Sequence, residues 1–340
     1  MAEMRTIGLD LAKNVFQVHG VDAEGKVLVR RRLRRAEVLE FFASTKPCLV
    51  GMEACAGAHH WAREIAKLGH EVRLMPPAYV KPYVKRGKTD AADAEAIAEA
   101  VTRPTMRFVP VKTTDQQSTL MLHKTRDLLV RQRTALINAL RGHMGELGIV
   151  APQGAQKVPG LVEALRAAGD EVPEVARRAL DMLVDQLGFL EIGIRKAEAD
   201  ILAWHRATEA SRRLATIPGI GPITASAIAA TVPDAGQFGS GRQFAAWLGL
   251  TPKPRSSGGK ERLGRISREG NGYIRRLLVT GMTAVLRYTR TDRERNPWGA
   301  GLLERKPARL VSVALANKTA RIAWAVLARG APYRNAEAAA

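Results

Sequence analysis

Two short apolar runs near the front of the chain are each interrupted by a single acid. One is Thr6-Ile7-Gly8-Leu9-Asp10-Leu11-Ala12, the other Cys48-Leu49-Val50-Gly51-Met52-Glu53-Ala54. Apolarity on consecutive positions over so few residues predicts strands buried on both faces. Val15 to Val21 alternates and predicts a strand between them. Asp22-Ala23-Glu24-Gly25 predicts a turn, and Lys26-Val27-Leu28-Val29-Arg30 a third strand, so the opening reads as an antiparallel meander. Helices are expected from about Ala36 to Ser44 and from about Ala58 to Leu68, the second stopping at Gly69. Glu71 to Met75 reads as a short strand ended by Pro76-Pro77, and Asp90 opens a helix over Ala91 to Val101. Three antiparallel strands, a helix, a parallel strand, a helix and a further strand is the order of an RNase H-like core.

From Thr113 the period turns helical and stays so to Leu147, with Leu129, Leu136, Leu140 and Leu147 three, four or seven apart. A second stretch, Val175 to His205, carries Leu180, Val184, Leu187, Ile194 and Ile201 on one stripe. Pro152, Pro159, Gly160, Gly169 and Pro173 break the pattern between them. Two long amphipathic helices around a break predict an antiparallel coiled-coil arm or a plain helical layer, a spacer or an oligomer contact in either case. The last third opens on Thr216-Ile217-Pro218-Gly219-Ile220-Gly221-Pro222-Ile223-Thr224-Ala225 and continues into a helix of small residues, Ala225 to Ala230. This is a helix–hairpin–helix pattern. Gly219 and Gly221 permit a tight turn that leaves backbone N–H groups at a helix N-terminus for a phosphate.

Charge narrows the function classes. The 340 residues carry 53 Lys plus Arg against 33 Asp plus Glu, a formal net charge of +20, which points to nucleic acid. Between Gly241 and Arg309 alone there are 16 basic and 5 acidic residues, a net +11. No apolar run reaches the roughly 18 residues of a spanning helix, and the N-terminus lacks a signal-peptide pattern. The expectation is therefore a cytoplasmic protein, with no membrane partner and reduced thiols at Cys48 and Cys55.

Against that background four carboxylates stand out: Asp10, Glu53, Asp90 and Asp93. The last two, three apart, share one helical face. Singly, each has an ordinary reading: a strand-end acid, an acid paired with arginine, helix N-terminal charges. Jointly, strand-acid, strand-acid and helix-acid-acid follow the order a divalent-metal nuclease core requires, with Mg²⁺ or Mn²⁺ as cofactor. Downstream, Ser256 and Ser257 sit in a Gly-containing loop among Arg255, Lys260, Arg262 and Arg265. A serine hydroxyl needs its proton removed and the developing charge stabilised before it is a useful nucleophile, and those cations suit the second task. The residues alone equally suit a loop that only grips phosphate.

Five segments in order resemble one family. They are Gly8-Leu9-Asp10-Leu11-Ala12-Lys13, Met52-Glu53-Ala54, Lys88-Thr89-Asp90-Ala91-Ala92-Asp93-Ala94, the Pro218 to Ala225 turn, and Ser256-Ser257-Gly258-Gly259-Lys260-Glu261-Arg262-Leu263-Gly264-Arg265-Ile266-Ser267. They look like the DEDD transposases of bacterial insertion sequences, relatives of the Piv DNA invertase that include the bridge-RNA-guided recombinases. The resemblance runs from Arg5 to about Leu327. It implies a RuvC-like metal-binding domain over 1–112, a coiled-coil arm over 113–207, a helical transposase domain over 208–330 and a tail over 331–340. It implies metal ligation by Asp10, Glu53, Asp90 and Asp93, and Ser257 as the residue that forms a phosphoserine link to DNA, with Ser256 the near alternative. It further implies a structured non-coding guide RNA, DNA partners at element ends and target, and a homodimer or homotetramer. Two other readings remain: a RuvC-like nuclease or junction resolvase that uses water, and a nucleic-acid-binding protein without catalysis.

Overall fold

The computed structural model describes residues 3–85, 89–255, 262–294 and 296–334. They fall into two compact units, Met1–Thr114 and Asp115–Ala340.

The first unit is built on a mixed five-stranded sheet. Its strands are β1 (Thr6–Asp10), β2 (Val15–Val21), β3 (Val27–Arg34), β4 (Leu49–Glu53) and β5 (Glu71–Met75), in the spatial order β3-β2-β1-β4-β5. The meander pairs antiparallel, while β1–β4 and β4–β5 are parallel. The two apolar runs with single acids are thus neighbouring strands in the middle of the sheet. The third strand, expected to start at Lys26, is β3, whose backbone pairs with β2 as far as Gln17↔Arg32 and Val15↔Arg34. On this edge strand the arginines' charge deters pairing with another chain.

The sheet has a helix layer on each face. Ile7, Leu9, Val50 and Met52 point to one side, where they form a core with α1 (Val38–Ser44) and α2 (Ala58–Lys67). The helix expected from Ala36 begins as a 3-10 turn over Arg35–Glu37, and Glu37 Oε2 accepts the Arg34 N–H. After β5 come the single turn α3 (Pro77–Val80) and then α4 (Asp90–Val101), which covers the opposite face.

The second unit is helical. The long helices α5 (Thr114–Glu146) and α7 (Glu174–Ala207) lie antiparallel within one chain. Asp115 Oδ2 accepts from Trp204 Nε1 at 3.1 Å, Arg126 pairs with Glu198, and Leu129 lies over Gly193. The buried seam of α7 is Leu180, Leu187, Leu190, Ile194, Ala197 and Ile201, which alternates by threes and fours over its last five members. On α5 the seam runs through Thr119, His123, Ile137, Leu140 and Met144, leaving Leu129, Leu136 and Leu147 only half-buried. The break between the two contains a helix that sequence reading missed, α6 (Val158–Ala167). Its Pro159 stands in the first turn, where no backbone donor is required.

The remainder packs as α8 (Glu209–Leu214), α9 (Pro222–Thr231), α10 (Gly241–Trp247), α11 (Gly272–Thr291), α12 (Pro297–Leu303) and α13 (Ala308–Arg329) around one apolar core. A two-stranded hairpin, β6 (Pro252–Pro254) with β7 (Leu263–Ile266), projects between α10 and α11 in sequence. By length and mean hydropathy, 1.3 over an 18-residue window, α13 is apolar enough to cross a membrane. The search for uninterrupted apolar runs passed over it. Its Val311, Leu315, Ala316, Ala320, Ala323 and Val326 are buried in the core, which accounts for the composition.

Candidate active site

Two glycines determine where the acids stand. Gly8 and Gly51 are register partners on β1 and β4, and both face α4. A Cβ on Gly8 would lie 2.1 Å from the Ala94 carbonyl oxygen and 2.5 Å from the Ala98 nitrogen. One on Gly51 would lie 2.8 Å from Val101 Cβ. The helix therefore rests directly on strand backbone, its own contact side being alanine. Side chains alternate along a strand, so Asp10, two residues beyond Gly8, and Glu53, two beyond Gly51, point to that same face. They stand at the carboxyl ends of adjacent parallel strands, one residue beyond the last register pair, Leu9↔Met52.

The helix runs opposite to β1. Arg5 and Thr6 line one cavity with Thr102 and Arg103, so the C-terminal end of α4 lies over the start of the strand. Its N-terminal end accordingly lies toward Asp10. One helical turn back from Ala94 is about 5.4 Å, and two residues on from Gly8 about 6.6 Å. The first turn, with Asp90 and Asp93, therefore lies on the Asp10 side of Ala94. Thr89 caps the turn, its Oγ1 accepting from Ala92 N–H at 3.2 Å.

Asp10, Glu53 and Asp93 are half-buried and Asp90 is exposed. Cys55 reports on the first two: burial, then the charges of Glu53 and Asp10, push its thiol above the ordinary value. Among the described residues no group of three or more His, Cys, Asp or Glu side chains stands where it could hold a metal ion. The structure places Asp10 and Glu53 at the ends of neighbouring parallel strands and does not gather them with Asp90 and Asp93 into one site. As donors, four carboxylates offer only hard oxygen ligands, which suit Mg²⁺ or Mn²⁺ and not softer metals. Outside this set, His59 Nδ1 accepts the Lys112 N–H at 3.2 Å.

The hairpin turn before α9 is equally constrained. Gly219 has φ +81°, and a Cβ there would sit 2.2 Å from Met282 Cε. Gly281 of α11 approaches it so closely that its own Cβ would meet the Gly219 oxygen at 2.1 Å. Gly221 is the N-cap of α9, exposed and without a side-chain cap, and Pro222 follows at the first helical position. The basic residues Arg255, Arg262 and Arg265 are exposed on the β6–β7 hairpin, where Arg255 N–H donates to the Arg262 carbonyl at 2.7 Å. Ser256, Ser257 and Lys260 lie outside the described residues.

Sequence reading missed a buried polar chain that joins α5, α9 and α11. His123, 1% exposed, meets Ser226 Oγ through Nε2 and Tyr273 Oη through Nδ1, each at 3.1 Å. Ser226 Oγ donates its own proton to the Pro222 carbonyl at 2.7 Å, so it accepts from His123 Nε2–H, and Tyr273 donates to Nδ1. Burial, reinforced by Arg126, lowers the His123 pKa to about 4 and keeps the ring neutral. The available signal was a polar residue on the apolar seam of α5.

Comparison with known proteins gives the family. Residues 7–149 match a transposase family of the IS110 DEDD type, and residues 211–296 match the transposase family IS116/IS110/IS902. A putative transposase, y4pF/y4sB, of Sinorhizobium fredii is 50% identical over 97% of this chain and 86% of its own length. A probable family 20 transposase of Pseudomonas aeruginosa is 52% identical over 96% of this chain and 98% of its own. The transposase for insertion sequence element IS1111A of Coxiella burnetii is 42% identical over 98% and 92%. The chain belongs to the IS110/IS116/IS902 family of insertion-sequence transposases.

Proposed function

We propose that this protein cuts and rejoins DNA strands at the ends and target of its insertion sequence, using Ser257 as nucleophile and the acids of an RNase H-like, RuvC-related unit to hold a divalent metal. The observation that supports the reading is that Asp10 and Glu53 end adjacent parallel strands whose Gly8 and Gly51 pack against the helix that carries Asp90 and Asp93. The strand order β3-β2-β1-β4-β5 supports the fold assignment. Bound there, Mg²⁺ or Mn²⁺ would neutralise charge on the reacting phosphodiester.

In the cutting step the Ser257 oxygen forms a bond to phosphorus, the bond from phosphorus to a sugar oxygen breaks, and the serine proton ends on that released hydroxyl. Attack by another sugar hydroxyl reverses the exchange and rejoins a strand. Arg255, Lys260, Arg262 and Arg265 supply positive charge to the phosphate, and the free N–H groups at Gly221 and the start of α9 hold backbone. A non-coding guide RNA fits a chain that carries much basic surface and only 5% aromatic residues, since pairing would then read the sequence. The same reading includes a homodimer or homotetramer.

The test is a denaturing gel of the full chain with end-labelled duplex and Mg²⁺. A covalent protein–DNA adduct that Ser257→Ala abolishes and Asp10→Ala prevents is the expected result. Free cut DNA that survives Ser257→Ala would instead make the protein a nuclease or junction resolvase that uses water. Intact DNA throughout would remove catalysis altogether.

A further inference from the structure

Beside the packed helices α11 and α13 runs an open groove of about 690 Å³. Its charged lining is of one sign: Arg268, Arg275, Arg276, Arg287, Arg290 and Arg309, with no acid among the lining residues. Two of these are engaged. Arg275 donates to the carbonyls of Leu248 and Glu269 at 2.8 and 2.7 Å, and Arg276 pairs with Asp127. The side chains of the other four make no ion pair or hydrogen bond among the described residues. Some arginines elsewhere in this unit do carry a carboxylate partner, as in Arg126–Glu198, Arg178–Glu174 and Arg213–Glu209. Four uncompensated cations around one groove repel each other and favour an anion between them.

Backbone geometry adds to this. Arg268 is the one non-glycine residue among the described residues with positive φ, +57°. Holding a long side chain in that region costs about 1–2 kcal/mol. Its N–H donates to Gly249 O at 3.1 Å, and burial, then the nearby Arg268 charge, lower the Arg275 guanidinium from its ordinary value. On α11 the groove positions Arg276, Thr280, Thr283, Arg287 and Arg290 recur at spacings of four and three, a single stripe. From Arg276 to Arg290 that stripe runs about 21 Å. A strand of duplex DNA advances about 3.4 Å per nucleotide, so the stripe spans roughly six. The lining contains no aromatic side chain on which an unpaired base would stack.

We infer that this groove seats the phosphate backbone of duplex DNA, as a contact separate from the turn at Gly219 and the serine loop. The inference rests on DNA being the protein's substrate. It is tested with the full chain, without divalent metal, by fluorescence anisotropy of a labelled duplex across a range of KCl concentrations. In the triple variant Arg287→Ala, Arg290→Ala, Arg309→Ala, the slope of log affinity against log salt should become shallower by about 2–3. Affinity near 0.15 M salt should fall by about tenfold or more. Arg290→Glu alone should move both quantities the same way, and it decides the matter should the triple variant fail to fold. Equal slopes and affinities in wild type and variants overturn the groove. A loss confined to RNA of the same length overturns its assignment to DNA. Wild-type chain that shows no salt-dependent duplex binding overturns the transposase reading as well.

Discussion

Replacing Gly8 by alanine should unseat α4 and spoil the acidic site together. The added methyl carbon would stand 2.1 Å from the Ala94 oxygen and 2.5 Å from the Ala98 nitrogen, while such contacts essentially never fall under 3.0 Å. Both obstacles are backbone, so no rotamer change relieves them, and the helix must retreat by about 0.9 Å. Overpacking of this kind costs about 1–3 kcal/mol. The smaller conformational freedom of alanine in the unfolded chain returns about 0.4–1 kcal/mol. A net loss of about 1 kcal/mol should lower the thermal transition of the first unit by roughly 4–8 °C. Hydrogen exchange over residues 90–101 should accelerate.

Catalysis should suffer more than stability suggests. On the proposed reading the retreat also displaces Asp90 and Asp93 relative to Asp10 and Glu53, and a displacement near 1 Å costs on the order of a hundredfold in rate where reacting groups are positioned. The assay is strand cutting at a temperature where the variant remains folded. Gly51→Ala supplies the control. Its obstacles all belong to the Val101 side chain, Cβ at 2.8 Å and both Cγ atoms at 3.1 Å, so Val101→Ala, which keeps Cβ, should relieve it only in part. No truncation at Ala94 or Ala98 should rescue Gly8→Ala. A Gly8→Ala protein that melts, exchanges and cuts like wild type would refute the argument that α4 rests on the strand.

Other outcomes follow from the second unit. His123 has a folded pKa of about 4 against an ordinary 6.5, so the unfolded chain takes up its proton first. Its contribution to stability is intact above about pH 6.5 and is lost as pH falls toward 4, by about 3 kcal/mol in all. Urea midpoints at the two ends of that range should show this loss in wild type and a smaller one in His123→Leu. Gly219→Ala combines a positive φ with a clash on Met282 and should cost about 2 kcal/mol or more, and Met282→Ala should not restore it fully. Gly221→Ala has nothing within 4 Å and should stay within about 0.5 kcal/mol of wild type by urea titration.

Much of this was legible in the chain wherever one element determined its own pattern. The apolar runs at Thr6 and Leu49 gave adjacent central strands, and the helical period gave both long helices to within about two residues at each end. What escaped reading depends on partners distant in sequence. Pro252 and Pro254 look like breakers, yet they pair with β7 on an exposed hairpin, where a missing donor is tolerated. Leu129 and Leu136 look like seam residues on α5, yet Thr119 and His123 are the buried ones nearer its start. For His123, Ser226 and Tyr273, over a hundred positions away, make burial affordable. The arginine groove likewise draws on positions from 268 to 309 that only the packing of α11 on α13 unites.

The acidic pair shows why fold and candidate site are hard to separate here. Gly8-Leu9-Asp10 and Gly51-Met52-Glu53 are the same phrase, glycine, apolar, acid, written on two parallel strands. In each, the apolar residue faces the core under α1 and α2, and the other two face α4. The glycine lets the helix descend onto the sheet, and the acid then lies beyond the contact, at the strand end. Any side chain at the first position would lift the helix and widen the gap its own acid faces. The spacing of two, which the pleat enforces, thus ties the closeness of the helix to the direction of the carboxylate. That link predicts that substitutions at either glycine alter the acids' environment even when the acids are untouched, which the thiol of Cys55 beside them reports as a change in its titration.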